Sequence, residues 1–195
     1  MKLTVNTFLT LDGVMQGPGS VDEDTSGGFT HGGWMIPHMD AEVARIGGEW
    51  FGHGDALLLG RNTYEMLWPF WEADTDPFDF VATHLNHMPK YLVSSTLENP
   101  GWHNTRVIRG DVMHKVEEIK SHGMGEIQVH GSYQLARSLY EAGLVDGYRL
   151  MVLPVTVGEG KRLFSSASDL GGYTLTQKET TESGALAVTL MRKGT

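Results

Sequence analysis

The sequence predicts an α/β protein: a mainly parallel sheet with helices on both faces and an antiparallel hairpin at its C-terminal edge. Three observations predict it. Short runs rich in Val, Ile and Leu alternate with segments of helical period, the spacings allow crossover helices, and the end of the chain reads as two strands around Glu182-Ser183-Gly184.

Each element has its own signal. Residues 2–11 partly alternate Leu, Val, Thr and Phe, which predicts a first strand. Residues 13–37, GVMQGPGSVDEDTSGGFTHGGWMIP, hold seven glycines and two prolines, too many for a regular element. This long loop carries Phe29, Trp34, Met35 and Ile36, which mark it as a lid that packs onto something. Asp40 caps a helix on which Val43, Ile46 and Trp50 recur at helical spacing. ALLLG, residues 56–60, is the apolar run of a parallel strand covered on both faces. A brief helix follows, then a second with Asp76 as N-cap, Pro77 as first residue, and Val81, Leu85 and Met88 on one face.

KYLVSS and TRVIRG are strands by their Val, Ile and Tyr content. Asp111 caps a helix carrying Val112, Val116 and Ile119. EIQVHG is the next strand, and Ser132 starts a helix with Leu135 and Leu139 that ends at Gly143. YRLMVLPVTVG reads as one long apolar strand, and YTLTQKET with ALAVTLM forms the closing hairpin. No repeat, low-complexity tract or linker divides the chain, so one domain over residues 1–195 is expected.

Composition narrows the function. With 40% hydrophobic and 20% charged residues the chain has the balance of a globular protein. A net charge of −9, without a dense basic run, disfavours nucleic-acid binding. The absence of cysteine removes disulfides, thiolate metal sites and a cysteine nucleophile, and agrees with a cytoplasmic address. No apolar run reaches the length of a membrane span and the first residues do not read as a secretory signal, so no membrane partner is expected.

In an open α/β sheet, ligands gather beyond the carboxyl ends of the strands, where helix N-termini expose unpaired amides. Two junctions carry that signal: LLLGRNTYE around Gly60, and IQVHGSYQLARSL around Gly131 and Ser132. Glycine lets an anion approach the backbone, Thr63 and Ser132 add hydroxyl donors, and Arg61 adds a planar cationic fork suited to phosphate. The structural alternative at each junction is a turn that needs glycine and a helix that needs a cap. Neither matches the dinucleotide fingerprint or the P-loop, and GEGK, residues 158–161, reads as a turn between strands. His84 and His87 lack a third ligand at metal spacing, so no metal is expected. No GxSxG elbow supports a serine hydrolase. Trp34, on the lid, is the tryptophan best placed to stack on a flat substrate.

Taken together, FLTLDGVMQGPG, DALLLGRNTYE, MPKYLVSSTL and IQVHGSYQLARSLYEAGLVDGYRLMVLPVTVGEGKRLF resemble the dihydrofolate-reductase-like proteins related to the reductase domain of the bifunctional riboflavin-biosynthesis deaminase/reductase. The resemblance covers about residues 1 to 165 and implies an eight-stranded mixed sheet and an NADPH-dependent reductase that passes hydride to a small flat heterocycle, a pterin, pyrimidine or related substrate. It implies that Gly60, Arg61, Asn62 and Thr63, with Gly131, Ser132, Tyr133 and Gln134, hold the cofactor phosphates. Ser94, Ser95 and Thr96 would lie near the adenosine ribose, and Arg61 would take the 2′-phosphate, favouring NADPH over NADH.

By the same resemblance Asp12 is the candidate catalytic residue on the substrate side, with a bound water as the other proton source and loop capping as its structural alternative. Trp34 and Asp40 are the substrate candidates, although Asp40 sits about one residue too late for a simple overlay and capping fits it better. His130 stands where relatives have an apolar residue, and Gly147 where they have an acidic one, a change expected at the surface or a dimer contact. The long apolar strand around residues 148–157 is a segment that could pair or pack across a homodimer. The alternative function is a non-catalytic nucleotide-binding or structural homodimer; dihydrofolate reductase itself is disfavoured by the helix carboxylate. The chain has no HxE…PCxxC deaminase segment.

Overall fold

The computed structural model describes residues 1–73, 79–164 and 172–194. The apolar runs become strands β1 (Lys2–Thr10), β2 (Ala56–Gly60), β3 (Lys90–Val93), β4 (Thr105–Ile108), β5 (Glu126–His130), β6 (Gly147–Leu153), β7 (Tyr173–Thr180) and β8 (Leu186–Arg192). The helices are α1 (Ala41–Gly52), α2 (Arg61–Glu72), α3 (Phe80–His87), α4 (Val112–His122) and α5 (Tyr133–Glu141). The eight strands form one mixed sheet in the order β4-β3-β2-β5-β1-β6-β8-β7, an α/β fold of the expected class. β5, β2, β3 and β4 pair in parallel; β6, β8 and β7 pair antiparallel, with the hairpin at the edge.

The chain resolves into two compact units, residues 1–5 with 48–145, and residues 6–47 with 146–195. In the first unit, Leu57, Leu59, Tyr64, Leu85, Met88, Leu92 and Trp102 form one buried cluster. Its polar atoms are paired: the Trp102 amide donates to the Tyr64 hydroxyl at 2.8 Å and the Trp102 indole N–H to Asn86 Oδ1 at 2.7 Å. In the second unit β6 buries Tyr148, Leu150, Met151 and Leu153, while Val43 and Ile46 on α1 are also buried.

Several expectations change in detail. α2 is a helix of twelve residues rather than a brief one, and it accommodates Pro69 in its interior. Asp76 and Pro77 lie outside the described residues; α3 starts after Asp79, whose carboxylate accepts from the Ala82 amide at 2.8 Å. β6 stops at Leu153 because Pro154 has no N–H to give the ladder. It lies inside the sheet, beside β8, so its backbone is already paired within the chain and only packing of its faces is left to it. Gly147 is buried rather than superficial: a Cβ there would come within 2.8 Å of Leu190 O and 2.5 Å of Met191 Sδ. Among the described residues no helix is long and apolar enough to cross a membrane.

Candidate functional site

In the first unit, β2 and β5 are neighbours and run in parallel, so the turns after them open on the same side of this part of the sheet. Gly60 leads into α2 and Ser132 into α5, and neither residue caps its helix through a side chain. Neither helix thus has a side-chain cap at its N-terminus, the positive end of its dipole. The sequence places Ser132 at the start of α5 as a cap. Instead its backbone is left-handed (φ 54°, ψ 63°), its oxygen accepts from the Gly60 N–H at 2.9 Å, and its hydroxyl donates to Thr63 Oγ1 at 2.8 Å.

β3 pairs with the other side of β2 and brings a third turn to this end. There the buried Ser94 hydroxyl oxygen accepts from the amides of Thr96 at 3.3 Å and Leu97 at 3.0 Å. Arg61 reaches across to this turn: Nη1 donates to Thr96 Oγ1 at 2.6 Å, and Nε to Glu65 Oε1 at 2.8 Å. The guanidinium is thus held at two points in a fixed plane. Asn62, Ser95 and Gln134 are exposed beside these groups, Gly131 has φ 61°, and Tyr133 bonds Arg137 along α5. The first unit therefore gathers residues from all three predicted segments at the ends of adjacent parallel strands.

His130, the last residue of β5, stacks on Phe51 with centroids 3.9 Å apart and bonds Gln128 Oε1 through Nε2 at 2.9 Å. Gln128 is a pure acceptor at that atom, so the tautomer places the proton on Nε2. His84 and His87 turn to different backbone carbonyls, those of Gly54 and Thr83. Among the described residues no group of three or more His, Asp or Glu could hold a metal ion.

The second unit holds Asp12, Trp34 and Asp40, each in a tight set of bonds. Asp12 Oδ1 accepts from Thr10 Oγ1 at 2.7 Å and the Val157 amide at 3.2 Å; Oδ2 accepts from the Gly158 amide at 2.8 Å and Arg162 Nη2 at 3.2 Å. The Thr10 hydroxyl, then the Gly158 and Val157 amides, hold its carboxyl well below the usual carboxylate range against the opposing effect of burial. It is ionised at neutral pH and holds no proton to donate. Asp40 Oδ1 accepts from the Val43 amide at 2.8 Å, capping α1, and Oδ2 accepts from the Ser183 amide at 2.9 Å. These bonds lower its pKa to about 2. Both oxygens serve the fold, in line with the capping alternative.

The loop of residues 13–37 is braced from within. Trp34 is buried, with its indole N–H donating to Gln16 O at 2.7 Å, and Phe29 is buried as well, whereas Ile36 is exposed. The Gln16 side chain donates to Asp24 O and Ser26 O and accepts from the Lys161 amide. Lys161 Nζ donates to Asp24 Oδ2 and Ser26 Oγ, each at 2.6 Å. Burial opposes ionisation of Asp24, but Lys161 and Ser26 outweigh it and lower its pKa. Reading GEGK only as a turn missed this clasp; a lone lysine after two glycines gives no sign of a carboxylate 137 positions away.

Comparisons with known proteins agree with the fold. The uncharacterized protein YyaP of Bacillus subtilis (strain 168) is 25% identical over 189 residues, covering 96% of this chain and 93% of that protein. A Shewanella sp. PV-4 structure whose name ties it provisionally to riboflavin biosynthesis superposes with a TM-score of 0.67 at 18% identity, covering 99% of each chain. The diaminohydroxyphosphoribosylaminopyrimidine deaminase/5-amino-6-(5-phosphoribosylamino)uracil reductase of Thermotoga maritima gives a TM-score of 0.63 at 13% identity, covering 98% of this chain and 56% of that one. The family model described as the RibD C-terminal domain matches residues 1–188. With that match over nearly the whole chain, the protein belongs to the RibD C-terminal domain family.

Proposed function

We propose that this protein is an NADPH-dependent reductase that passes hydride to a small flat heterocycle of the pterin or pyrimidine type. The observation that carries the reading is the convergence, at the ends of β5, β2 and β3, of two helix N-termini without side-chain caps and a guanidinium held in a fixed plane. That donor set fits a ligand with several phosphates: oriented amides take the anionic oxygens, and Gly60 and Gly131 keep the approach clear of side chains. NADPH supplies the hydride when bound; the chain binds and orients it and keeps water out.

Arg61 takes the phosphate on the ribose, which sets the preference for NADPH over NADH. Ser94 to Thr96 form the ribose side. Residues 13–37 act as the lid, and Trp34 stiffens it from within rather than stacking on substrate. Asp12 anchors the start of that lid and leaves protonation of the substrate to a water molecule.

The test is a fluorescence titration with NADPH and NADH of the wild type and of Arg61→Ala. The proposal expects tight NADPH binding, weaker NADH binding, and a tenfold to hundredfold loss for NADPH alone in the variant, on the order of one charge-assisted contact. A folded wild type that binds neither cofactor would show the reading to be wrong.

A further inference from the structure

Strand β8 reads Leu-Ala-Val-Thr-Leu-Met-Arg. Successive side chains of a strand point to opposite faces of the sheet, so Ala187, Thr189 and Met191 share one face and Leu186, Val188 and Leu190 the other. The first face is the inner one: Ala187 and Thr189 are 4% and 7% exposed, and Arg45 of α1 pairs with Glu179, which stands opposite Ala187 on β7. An antiparallel strand with one face in water places apolar residues inward and polar ones outward. β8 reverses this pattern, because its outward residues are Leu, Val and Leu while Ala and Thr point inward.

The pairing register carries this outward face across β6, β8 and β7. Val152 stands opposite Leu186, Leu150 opposite Val188 and Tyr148 opposite Leu190; on the far side of β8, Leu175 stands opposite Leu190 and Lys178 opposite Val188. The Tyr148 ring meets those of Phe164 and Tyr173 edge-on, with centroids 5.2 Å and 5.3 Å apart. Tyr148 and Leu150 are buried, whereas Val152, Val188, Leu190 and Tyr173 are only partly so, and Leu186, Phe164 and Leu175 are 39%, 48% and 50% exposed. Strands about 4.8 Å apart and about 20 Å long give these three roughly 300 Å² of flat face, the scale at which an exposed apolar patch marks an interaction site.

We propose that this face is the interface of a homodimer, in which the outer faces of β6, β8 and β7 from two copies pack as stacked sheets. Charge selects the second copy as occupant. None of the outward positions on these strands carries a carboxylate, whereas the whole chain has a net charge of −9, so two acidic chains meet here with little of the repulsion they exert elsewhere. The cations of the face, Lys178 on the edge strand and Arg192 at the end of β8, lie at its border, where an acidic second copy complements them. The apolar centre is what an interface of about 800 Å² per copy holds within a polar rim. Pairing through the free edge of β7 is opposed by the bulge between Leu175 and Gln177 and by Lys178. The inference stands apart from the reductase reading and does not depend on it.

The experiment is sedimentation velocity of the wild type, from about 1 to about 100 µM, beside Leu175→Lys, Val188→Lys and Phe70→Lys, each shown to be folded by its thermal transition. The wild type is expected to sediment as a dimer. Leu175→Lys and Val188→Lys should each weaken association about a hundredfold, because twofold symmetry places every new cation in the interface twice. Leu175 is half exposed on the edge strand, so its variant keeps the test open if Val188→Lys does not fold. Phe70 is an exposed apolar residue of α2, outside this face, and Phe70→Lys should leave the dimer intact. A wild type that stays monomeric at about 100 µM, a dimer that survives the folded strand variants, or one that Phe70→Lys dissolves as readily would overturn the proposal. Flotation of a monomeric wild type with phosphatidylglycerol vesicles would give the face to a membrane surface and overturn it as well.

Discussion

Lys90 should make the protein more stable, relative to a variant lacking it, as the pH rises above about 8. It lies on β3 with no solvent exposure, yet carries an ammonium. Its Nζ donates to Met88 O at 2.9 Å, His103 O at 3.0 Å and Asn86 O at 3.3 Å, and stands 4.7 Å from the centroid of the Trp102 ring. Burial pushes its pKa down from 10.5 to about 8, with Glu72 opposing. At about 1.4 kcal/mol per pH unit, holding the charge inside costs about 3 kcal/mol at neutral pH. Lys90→Met removes that cost, and the thioether fills the volume of the lysine stem. The loss is the donor to the buried Met88 carbonyl, about 1–3 kcal/mol, with a smaller cost at His103 and Asn86, which water can reach.

At pH 7 the two effects nearly offset, and wild type and variant should differ by no more than about 2 kcal/mol. Between about 8 and 10.5 the unfolded chain keeps the Lys90 proton while the folded one has released it. Stability then rises with pH, and by about pH 9.5 the wild type gains about 2 kcal/mol on the variant. Urea unfolding of both proteins at pH 7 and at about pH 9.5 measures this, and the variant cancels every other group that titrates. A difference that stays constant, or a wild type that loses ground at high pH, would refute the argument: the three carbonyls and the indole would then hold the ammonium more strongly than burial penalises it.

Other perturbations follow from the same structure. Asp12→Asn should cost about 1–2 kcal/mol through weaker bonds to Thr10, Gly158 and Arg162, measured by thermal unfolding, while leaving the pH profile of turnover unchanged. The folded pKa of Asp12 is depressed, so the wild-type contribution is present above its unfolded value of about 4 and is lost as the pH falls below it. Gly147→Ala should destabilise by about 1–3 kcal/mol, read by chemical denaturation, because the new methyl meets the Leu190 carbonyl. Lys161→Met should open the clasp on Asp24 and Ser26, speeding amide exchange in residues 14–28 by tenfold or more while exchange in β2 and β5 is unchanged.

The order of elements was legible because each strand and helix carries its own period or punctuation: ALLLG has no polar interruption, and the turn of the last hairpin holds Gly184 at φ 82°. What local pattern could not give was the use of particular side chains across long separations. Ser132 reads as a cap in any local view, and only the neighbouring Gly60, 72 positions away, turns it into a link. Asp12, placed as a proton donor by its position after β1, is saturated by partners 145 or more positions further on. Lys90 looks like the polar start of an apolar strand; its burial depends on backbone carbonyls that sequence does not display. The two glycine turns stand out because glycine, a hydroxyl and arginine at strand ends are local signals, whereas the clasp of Lys161 on Asp24 and Ser26 joins residues with no common motif.

The central claim is that the carboxyl ends of β5, β2 and β3 hold the phosphates of NADPH. Amide hydrogen exchange of the wild type with and without NADPH tests it most directly. The account predicts slower exchange in residues 61–64, 95–97 and 132–135, with little change in β7 and β8. Protection confined to other segments while NADPH is bound, or no NADPH-dependent change at saturating cofactor, would contradict it.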